Sequence, residues 1–515
     1  IEDPSGLNFS TTYTYDPLDN LTGVTQGAQT RTFVYSSLSR LRSATNPESG
    51  TITYTYNDSG DLLTRTDARG KVSSMTYDPL HRILTKSYSD NPATPNATYE
   101  YHLAGSSLAP AIGQLKSVSS SAASTVYSSY NALGQVIASM HSISGYSGNS
   151  AIFSYDYWLN GSLKTLTYPS GRVVNYAVDD AGRSNKAYAT GRTYADMTAP
   201  GITYPFTPDG RIAQVKLNTN LWETRDYNTP GTQTVYRLGS TLGSGDKVQL
   251  QYNFSGTANN GNLMSQTISQ SGGGFQRGQE FYYDGLNRLS QATETGGQNN
   301  WNRIYGYDQY GNRWVQPSSS GLAHLEPLEP DAQGDFSAST NRLTMTGVQF
   351  DTSGNQTAYD GLTLGYDAES RNTTVTGGGA SMTIAYDGEG RRVKKVVTPS
   401  TGPAVTTYYI YNALGQLAAE QSGQPPISTG TTWMFTDMLG SVRAIASESG
   451  SVLECYDYLP FGRMLSSADN GRSALGCYPA DPDTELNSRT PQKFTSKERD
   501  AETGLDFFEA RYYSG

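Results

Sequence analysis

Along this chain apolar and polar residues alternate two by two over short stretches, and compact polar turns interrupt the alternation at nearly regular intervals. The stretch Phe281-Tyr282-Tyr283-Asp284-Gly285-Leu286-Asn287-Arg288-Leu289 is the clearest unit: an aromatic strand end, a tight turn, and a returning strand. Tyr305-Gly306-Tyr307-Asp308 through Arg313 and Ile384-Ala385-Tyr386-Asp387 through Arg391 repeat it. Aromatics two apart are expected on one face of a strand, because side chains alternate with period two. Asp opens the turn because its carboxylate can bond the backbone two residues on. Gly311 and Gly390, three positions later, supply a positive φ at little steric cost. Each unit is a hairpin, and a lone hairpin is marginal in water. The copies must therefore stack.

They recur with a nearly fixed period. Tyr15, Tyr35, Tyr56 and Tyr77 are separated by 20, 21 and 21 residues, and Tyr283 to Tyr307 by 24. Further anchors, some degenerate, are read at Tyr101, Tyr130, Tyr155, Tyr176, Tyr204, Tyr227, Tyr252, Phe350, Tyr411, Phe435 and Tyr456. Such a period signals a repeat architecture rather than a string of independent domains. The repeat anchors singled out are Tyr13, Tyr15 and Asp16; Tyr54, Tyr56 and Gly60; Tyr77 and Asp78; Tyr283 and Asp284; Tyr307, Asp308 and Gly311; Tyr366 and Asp367; Tyr386, Asp387 and Gly390; and Tyr411 and Gly415.

Composition sharpens this picture. Tyr 38 against Phe 14 means that most aromatic burial carries a hydroxyl in need of a partner. With 54 glycines and 36% apolar residues in 515, the expectation is thin β-sheet with many turns rather than one thick core. A net charge of −10 argues against nucleic acid or an anionic membrane as partner, and no apolar run approaches the length of a membrane-spanning helix. Cys455 and Cys477 form no metal-binding spacing; they are either one disulfide of an oxidising compartment or two free thiols. Ile1 and the turn-like Asp3-Pro4-Ser5-Gly6, and Gly515 at the other end, read as cuts through a repeat tract.

Repeats are regular over 1–90 and 343–421. The Pro/Ala/Ser-rich 91–126 is expected to hold a longer loop, the Gly/Asn/Thr/Gln-rich 216–275 to be poorly stranded, and 316–340, with its three prolines, to leave the tract. A short helical turn is expected at Ser496–Thr503. Two domains follow: a repeat region over 1–430, degenerate or looped at those three segments, and a distinct C-terminal region over 431–515.

That last region carries ordered motifs: Asp437 and Gly440; Tyr456, Asp457, Pro460, Phe461 and Gly462; Glu498, Arg499 and Asp500; Gly504 and Leu505; and Arg511, Tyr512 and Tyr513. This order resembles the RHS repeat-associated core that ends bacterial RHS/YD-repeat proteins, relatives of toxin-complex C proteins and animal teneurins. The resemblance covers nearly the whole chain, through roughly fifteen to twenty Tyr-Asp copies. It implies an all-β fold in which stacked hairpins form a strip that winds as a spiral into a hollow shell or barrel, with the core closing one end.

Several members of that family cut themselves after the core with an aspartyl pair. Here Ser514 stands where the first Asp would be, so that pair cannot be assembled from this sequence. No other catalytic constellation appears. His81, His102, His141 and His324 have no ligand spacing and read as turn or surface residues; Asp179-Asp180 and Asp58/Asp61 sit where turns want Asp. Glu326, Glu329 and Asp331 lack a calcium-loop pattern, and Gly272-Gly273-Gly274 lacks the Lys and flanking elements of a phosphate loop. Asn-x-Ser/Thr triplets, from Asn8 to Asn372, are what turn-rich composition produces, and the tyrosine rows read as wall packing rather than a sugar platform.

The expected protein is thus no enzyme and needs neither cofactor nor metal. It is a non-catalytic structural shell of a secreted or cell-surface bacterial protein, enclosing or carrying a polypeptide, typically its own C-terminal effector. The alternative is an extracellular fibre, tube or adhesin built by self-association of stacked subunits, which heterologous contacts leave open-ended.

Overall fold

The turn of each repeat is organised by its own carboxylate. In a computed structural model, which describes residues 9–103, 111–148, 150–228, 231–257, 259–270, 274–322, 328–423, 430–481 and 488–514, Asp284 Oδ1 accepts the backbone N–H of Leu286 and of Arg288, both at 2.9 Å. The Asp284 N–H donates to Arg288 O, and the Asn287 N–H returns to Asp284 O. Asp16, Asp78, Asp308, Asp367, Asp387 and Asp437 make the same pair of carboxylate bonds. The fourth residue is left-handed throughout, with φ of 87° at Gly311, 88° at Gly390 and 83° at Gly440. Where Asp19, His81, Asn287 or Ser370 stands there instead, it too is left-handed, with φ of 65°, 61°, 60° and 60°. Left-handed backbone costs such residues about 1 kcal/mol or more, which the two carboxylate bonds offset.

This turn forces a bulge. Tyr282 pairs with Gln291, but Tyr283 pairs with Leu289, and the same slip falls at Tyr77 and Tyr386, though not at Tyr307. The anchor ring therefore leaves the simple two-residue alternation expected of it. Phe281 is buried, whereas Tyr283 is half-buried and reaches back over the preceding hairpin. Its hydroxyl donates to Leu263 O at 2.9 Å, and Tyr307 does so to Leu289 O at 2.7 Å. Tyr77, Tyr101, Tyr130, Tyr227, Tyr366, Tyr386 and Tyr458 repeat the bond. The abundance of Tyr over Phe thus has a cause: these anchors tie their hairpins to the ones before. Replacing Tyr307 and Tyr386 by Phe is expected to cost about 1 kcal/mol each with the fold intact; additivity of the two in chemical denaturation checks this.

Four anchors are re-registered, two of them by the same bond. Tyr157 and Tyr458 donate to Val136 O and Val442 O, so the anchors of those copies are Tyr157 and Tyr458, not Tyr155 and Tyr456. By their bulges, Phe254 replaces Tyr252, and by its contact with Arg183, Phe206 replaces Tyr204. Tyr13 and Tyr15 do not pack in the wall; they are 49% and 57% exposed on the first described strand, Thr11–Tyr15.

Strands pair antiparallel with their chain neighbours throughout. One ladder of 26 strands runs from Thr11–Tyr15 to Arg313–Val315, and one of eight from Gln349–Phe350 to Leu417–Ser422. Two three-stranded sheets follow, Trp433–Cys455 and Glu498–Tyr513. The stretch 216–275 is well stranded, contrary to expectation. Trp222–Tyr227, Gln233–Gly239, Val248–Phe254, Leu263–Gln270 and Phe275–Tyr283 form there, around fully buried Leu238, Leu250 and Ile268. Some of their polar residues, such as Gln249 and Gln251, form the other face of the strands, but Gln266 and Gln270 are buried on the same face as Ile268. Strands Ala97–Tyr101 and Leu115–Ser120 likewise cross 91–126. Ser496–Thr503 is not helical: a 3-10 turn at Phe494–Ser496 leads into the strand Glu498–Asp500.

The ladder has two chemically distinct faces. Cross-strand partners Thr55–Thr64–Ser74–Ser87 and Thr76–Thr85–Thr98–Ser119–Ser124 form hydroxyl rows on one. The other face carries buried Ala44, Met75, Ala97 and Val118, then Leu250, Ile268 and Phe281.

The strip winds upon itself. Tyr310 Oη accepts from the Ala28 N–H, 282 residues away, and Arg69 donates to Asp367 O across 298. Tyr88 donates to Glu369 across 281, Tyr99 to Gly388 O across 289, and Trp433 to Tyr194 O across 239. In all but the last of these a Tyr-Asp turn of the second winding meets the first winding; Trp433 makes its contact from the strand Trp433–Thr436. One turn of the spiral therefore takes some 240–300 residues.

Candidate functional site

Residues 430–514 fasten both windings together, and their sequence motifs become a buried charge network. The strand Leu289–Thr295 turns Glu294 onto the apolar face, where it is 0% exposed. Arg472, from the Ser/Asp/Pro-rich connection, donates to both Glu294 oxygens at 2.8 and 2.7 Å and to Asp457 Oδ2 at 2.9 Å. Asp457 also accepts from Arg443 at 2.5 Å and from the Tyr478 hydroxyl at 2.7 Å. Burial alone would raise the Asp457 carboxyl; Arg443 and Arg472 overcome it and hold it below the usual range.

A second knot joins the strand Glu498–Asp500 to the strands Arg392–Pro399 and Val405–Tyr411. Arg392 donates to Asp500 at 2.9 Å and contacts Glu498; Lys395 reaches Asp500 at 2.6 Å and Glu502 at 3.4 Å. The Tyr512 hydroxyl meets Asp500, and Tyr409 donates to Glu498 at 2.7 Å. Arg499 forms a bidentate pair with Asp506 at 3.0 and 2.9 Å. Asp500 is buried, which disfavours its charge, yet Arg392 and Lys395 pull its carboxyl well below the usual range. Glu498 goes the other way: burial, with Asp500 adding to it, pushes its carboxyl up to about 7.

The folded chain consequently holds a proton on Glu498 that the unfolded chain releases near pH 4.5. That contribution is present in acid and is lost as pH rises from about 4.5 to about 7. Glu498→Gln, which mimics the protonated form, is expected to narrow the stability difference between pH 5 and pH 8; an unchanged difference in thermal melts refutes the assignment.

The remaining motif residues are structural here. Asp437 and Gly440 build one more repeat turn. Tyr456 is buried against Glu454, and Phe461 meets Tyr305 edge to face at 5.1 Å beneath the Arg313 guanidinium. Pro460 and Gly462, φ 101°, shape that turn, and an added Cβ at Gly462 would strike Phe494. Gly504, φ 67°, precedes buried Leu505. Tyr513 donates to Phe461 O at 2.6 Å, and Arg511 stays exposed. Ser514 Oγ lies 3.2 Å from the Tyr359 hydroxyl. Cys455 and Cys477 form a disulfide whose first half is fully buried.

Two histidines depart from the surface reading. His102 and His141 are 8% and 2% exposed; His102 contacts Tyr127 O, and burial lowers His141 to about 4. His81 does occupy a turn and pairs with Asp61 at 2.9 Å. Glu329 pairs with Arg303, and no metal-ligand cluster occurs among the described residues. His324, Glu326, Gly272, Gly273 and Asn8, with Ile1, Asp3-Pro4-Ser5-Gly6 and Gly515, lie outside them. No helix is long and apolar enough to cross a membrane among the described residues.

Fold and network together define a hairpin-repeat shell whose C-terminal part is ion-paired to its wall. An RHS Repeat family model matches residues 56–93. The structure of this chain is similar over 98% of its length to TcdB2-TccC3, with a TM-score of 0.76 and 16% identity, and to the Photorhabdus luminescens Tc holotoxin pore carrying TccC3-D651A, with 0.74 and 16%. It is 25% identical over 246 residues, 45% of its length, to the tRNA3(Ser)-specific nuclease WapA of Bacillus spizizenii. The chain spans about a tenth of that nuclease and under a third of the TcdB2-TccC3 chain. Residues 56–93 thus match an RHS repeat, and the chain shares the all-β fold of the TcdB2-TccC3 structures.

Proposed function

We propose that this chain is the wall of a container: a non-catalytic shell of a secreted or surface-delivered bacterial protein that encloses a polypeptide, its own C-terminal effector in the first instance. The observation that carries this reading is directional. The apolar face of the ladder is the one on which residues 430–514 are fixed, through Glu294 and the Phe435–Tyr236 contact at 4.3 Å, while the hydroxyl face of the hairpins points the opposite way. A chain continuing from Ser514 would start from that same apolar side of the wall. Among the similar structures, one is of TcdB2-TccC3 without a hypervariable C-terminal region, which accords with a variable passenger at that end.

A disordered, protease-sensitive polypeptide fused after Gly515 tests the proposal. Enclosure predicts that the fused segment survives protease as long as the shell does. Cleavage at the rate of the free segment contradicts enclosure.

A further inference from the structure

A buried carbonyl of the wall faces a disulfide that has no proton to give it. Gln270 ends the strand Leu263–Gln270 of the first winding and is 3% exposed. Its Oε1 lies 3.2 Å from Cys455 Sγ and 3.9 Å from Cys477 Sγ. The groups behind it fix this orientation. Asp457 is held as a carboxylate by Arg443 and Arg472 and can only accept, so the Tyr478 hydroxyl gives its one proton to Asp457 Oδ2 at 2.7 Å. The Tyr478 oxygen must then accept from Gln270, whose Nε2 lies 2.7 Å away. That leaves the Gln270 carbonyl turned to the sulfurs, which pack in a cluster with Phe275, Val452 and Tyr478. While the sulfurs are bonded to each other, this oxygen has no hydrogen-bond donor among the described residues.

A buried acceptor without a donor disfavours the state that holds it, and a thiol S–H can donate where a disulfide cannot. We propose that Cys455 and Cys477 form a reversible dithiol–disulfide site, opened by a small-molecule thiol or dithiol, with Gln270 as the built-in acceptor for the reduced form. The two sulfurs differ in access. Cys455 is fully buried, whereas Cys477 is half-buried beside exposed Ser473, Ala474 and Gly476. A thiolate of the reductant attacks Cys477 Sγ; the S–S bond breaks, a mixed disulfide forms, and Cys455 leaves as a thiolate and takes up a proton. A second thiol of the reductant then displaces Cys477. The reductant departs as its own disulfide, and two electrons and two protons stay on the cysteines. The new Cys455 S–H donates to Gln270 Oε1. Stabilising the dithiol makes the bond easier to reduce than an inert staple.

The site is joined to the clamp. Gln270, Tyr478, Asp457, Arg472 and Glu294 are linked by successive hydrogen bonds, and the ring closed by the disulfide carries Arg472. Reduction opens that ring and leaves the hairpin ladder intact. Under the container reading, on which this consequence alone rests, a particle entering thiol-rich surroundings loosens its C-terminal region.

Equilibration of the folded chain with mixtures of reduced and oxidised dithiothreitol tests the site, the reduced fraction being counted by thiol alkylation and intact mass. Gln270→Leu is expected to make the disulfide several-fold harder to reduce. Gln270→Glu, which keeps an oxygen toward the sulfurs, is expected to stay at least as reducible as the parent. The S–H stretching band of the reduced parent needs no variant: it should lie at lower frequency than in the unfolded dithiol. Equal reducibility of parent and Gln270→Leu, or an S–H band at the unfolded position, overturns the proposal. A protease-sensitive segment fused after Gly515 reads the consequence separately, with resistance expected to be lost only on reduction. Resistance in both redox states overturns the gating, and digestion in both overturns enclosure while the redox site stands on its titration.

Discussion

Arg472→Ala is expected to destabilise the C-terminal region by about 3–5 kcal/mol, the range for removing one partner of a buried ion pair. Arg472 is 0% exposed, and its guanidinium is the shared donor to Glu294 and Asp457, which are 0% and 1% exposed. Without it, Asp457 retains Arg443 and Tyr478, but Glu294 keeps only the amide donors Asn470 and Gln279. A carboxylate so placed is costly in a medium of low dielectric. The link it breaks is between the first winding and the C-terminal region, so that region should loosen while the hairpin ladder persists. Amide exchange resolves the two: protection should fall around 443–478 and hold across the first winding. The pair Arg472→Met with Glu294→Gln should recover part of the loss, because it removes both charges together. If the single variant melts like the parent, the clamp does not hold the wall.

Removing the disulfide is expected to cost about 3 kcal/mol, the loop-closure value for a ring of this size. Cys455 and Cys477 are 22 residues apart, and the closed segment contains Asp457, Phe461 and Arg472. The bond therefore restrains the very loop that delivers Arg472 to Glu294. Cys455→Ser with Cys477→Ser should lower the denaturation midpoint, and reductant should bring the parent to the same value without moving the variant. Equal midpoints with and without reductant in the parent contradict this.

Much of the wall was legible because its causes are local. Asp at the turn, Gly311 and Gly390 three residues on, and the 20–21-residue period are all set by bonds within one hairpin. The excess of Tyr over Phe carried a real message, since the hydroxyls bind the preceding hairpin. Other features escaped for physical reasons. Left-handed Asn287 and Ser370 look like ordinary turn residues, so the bulge that reorients Tyr283 was not visible. Tyr155 and Tyr252 mimic anchors two residues early because the strands alternate aromatics before the turn. The seam between windings joins residues 230 to 312 apart, and no local pattern encodes that distance. Glu294 lies on the strand Leu289–Thr295 and Arg472 in the Ser/Asp/Pro-rich connection; only the winding brings them together. The motif residues Asp457, Glu498, Arg499 and Asp500 were found by their order, but their shared role as a clamp depends on Arg392, Lys395 and Arg472, which no motif flagged.

Electron microscopy of the purified native particle, with intact mass measured on the same sample, tests the central claim most directly. The account predicts discrete particles with a curved β-wall around an interior, and additional density inside when the C-terminal passenger is present. Long tubes or fibres of stacked subunits, or particles without an interior, would contradict it.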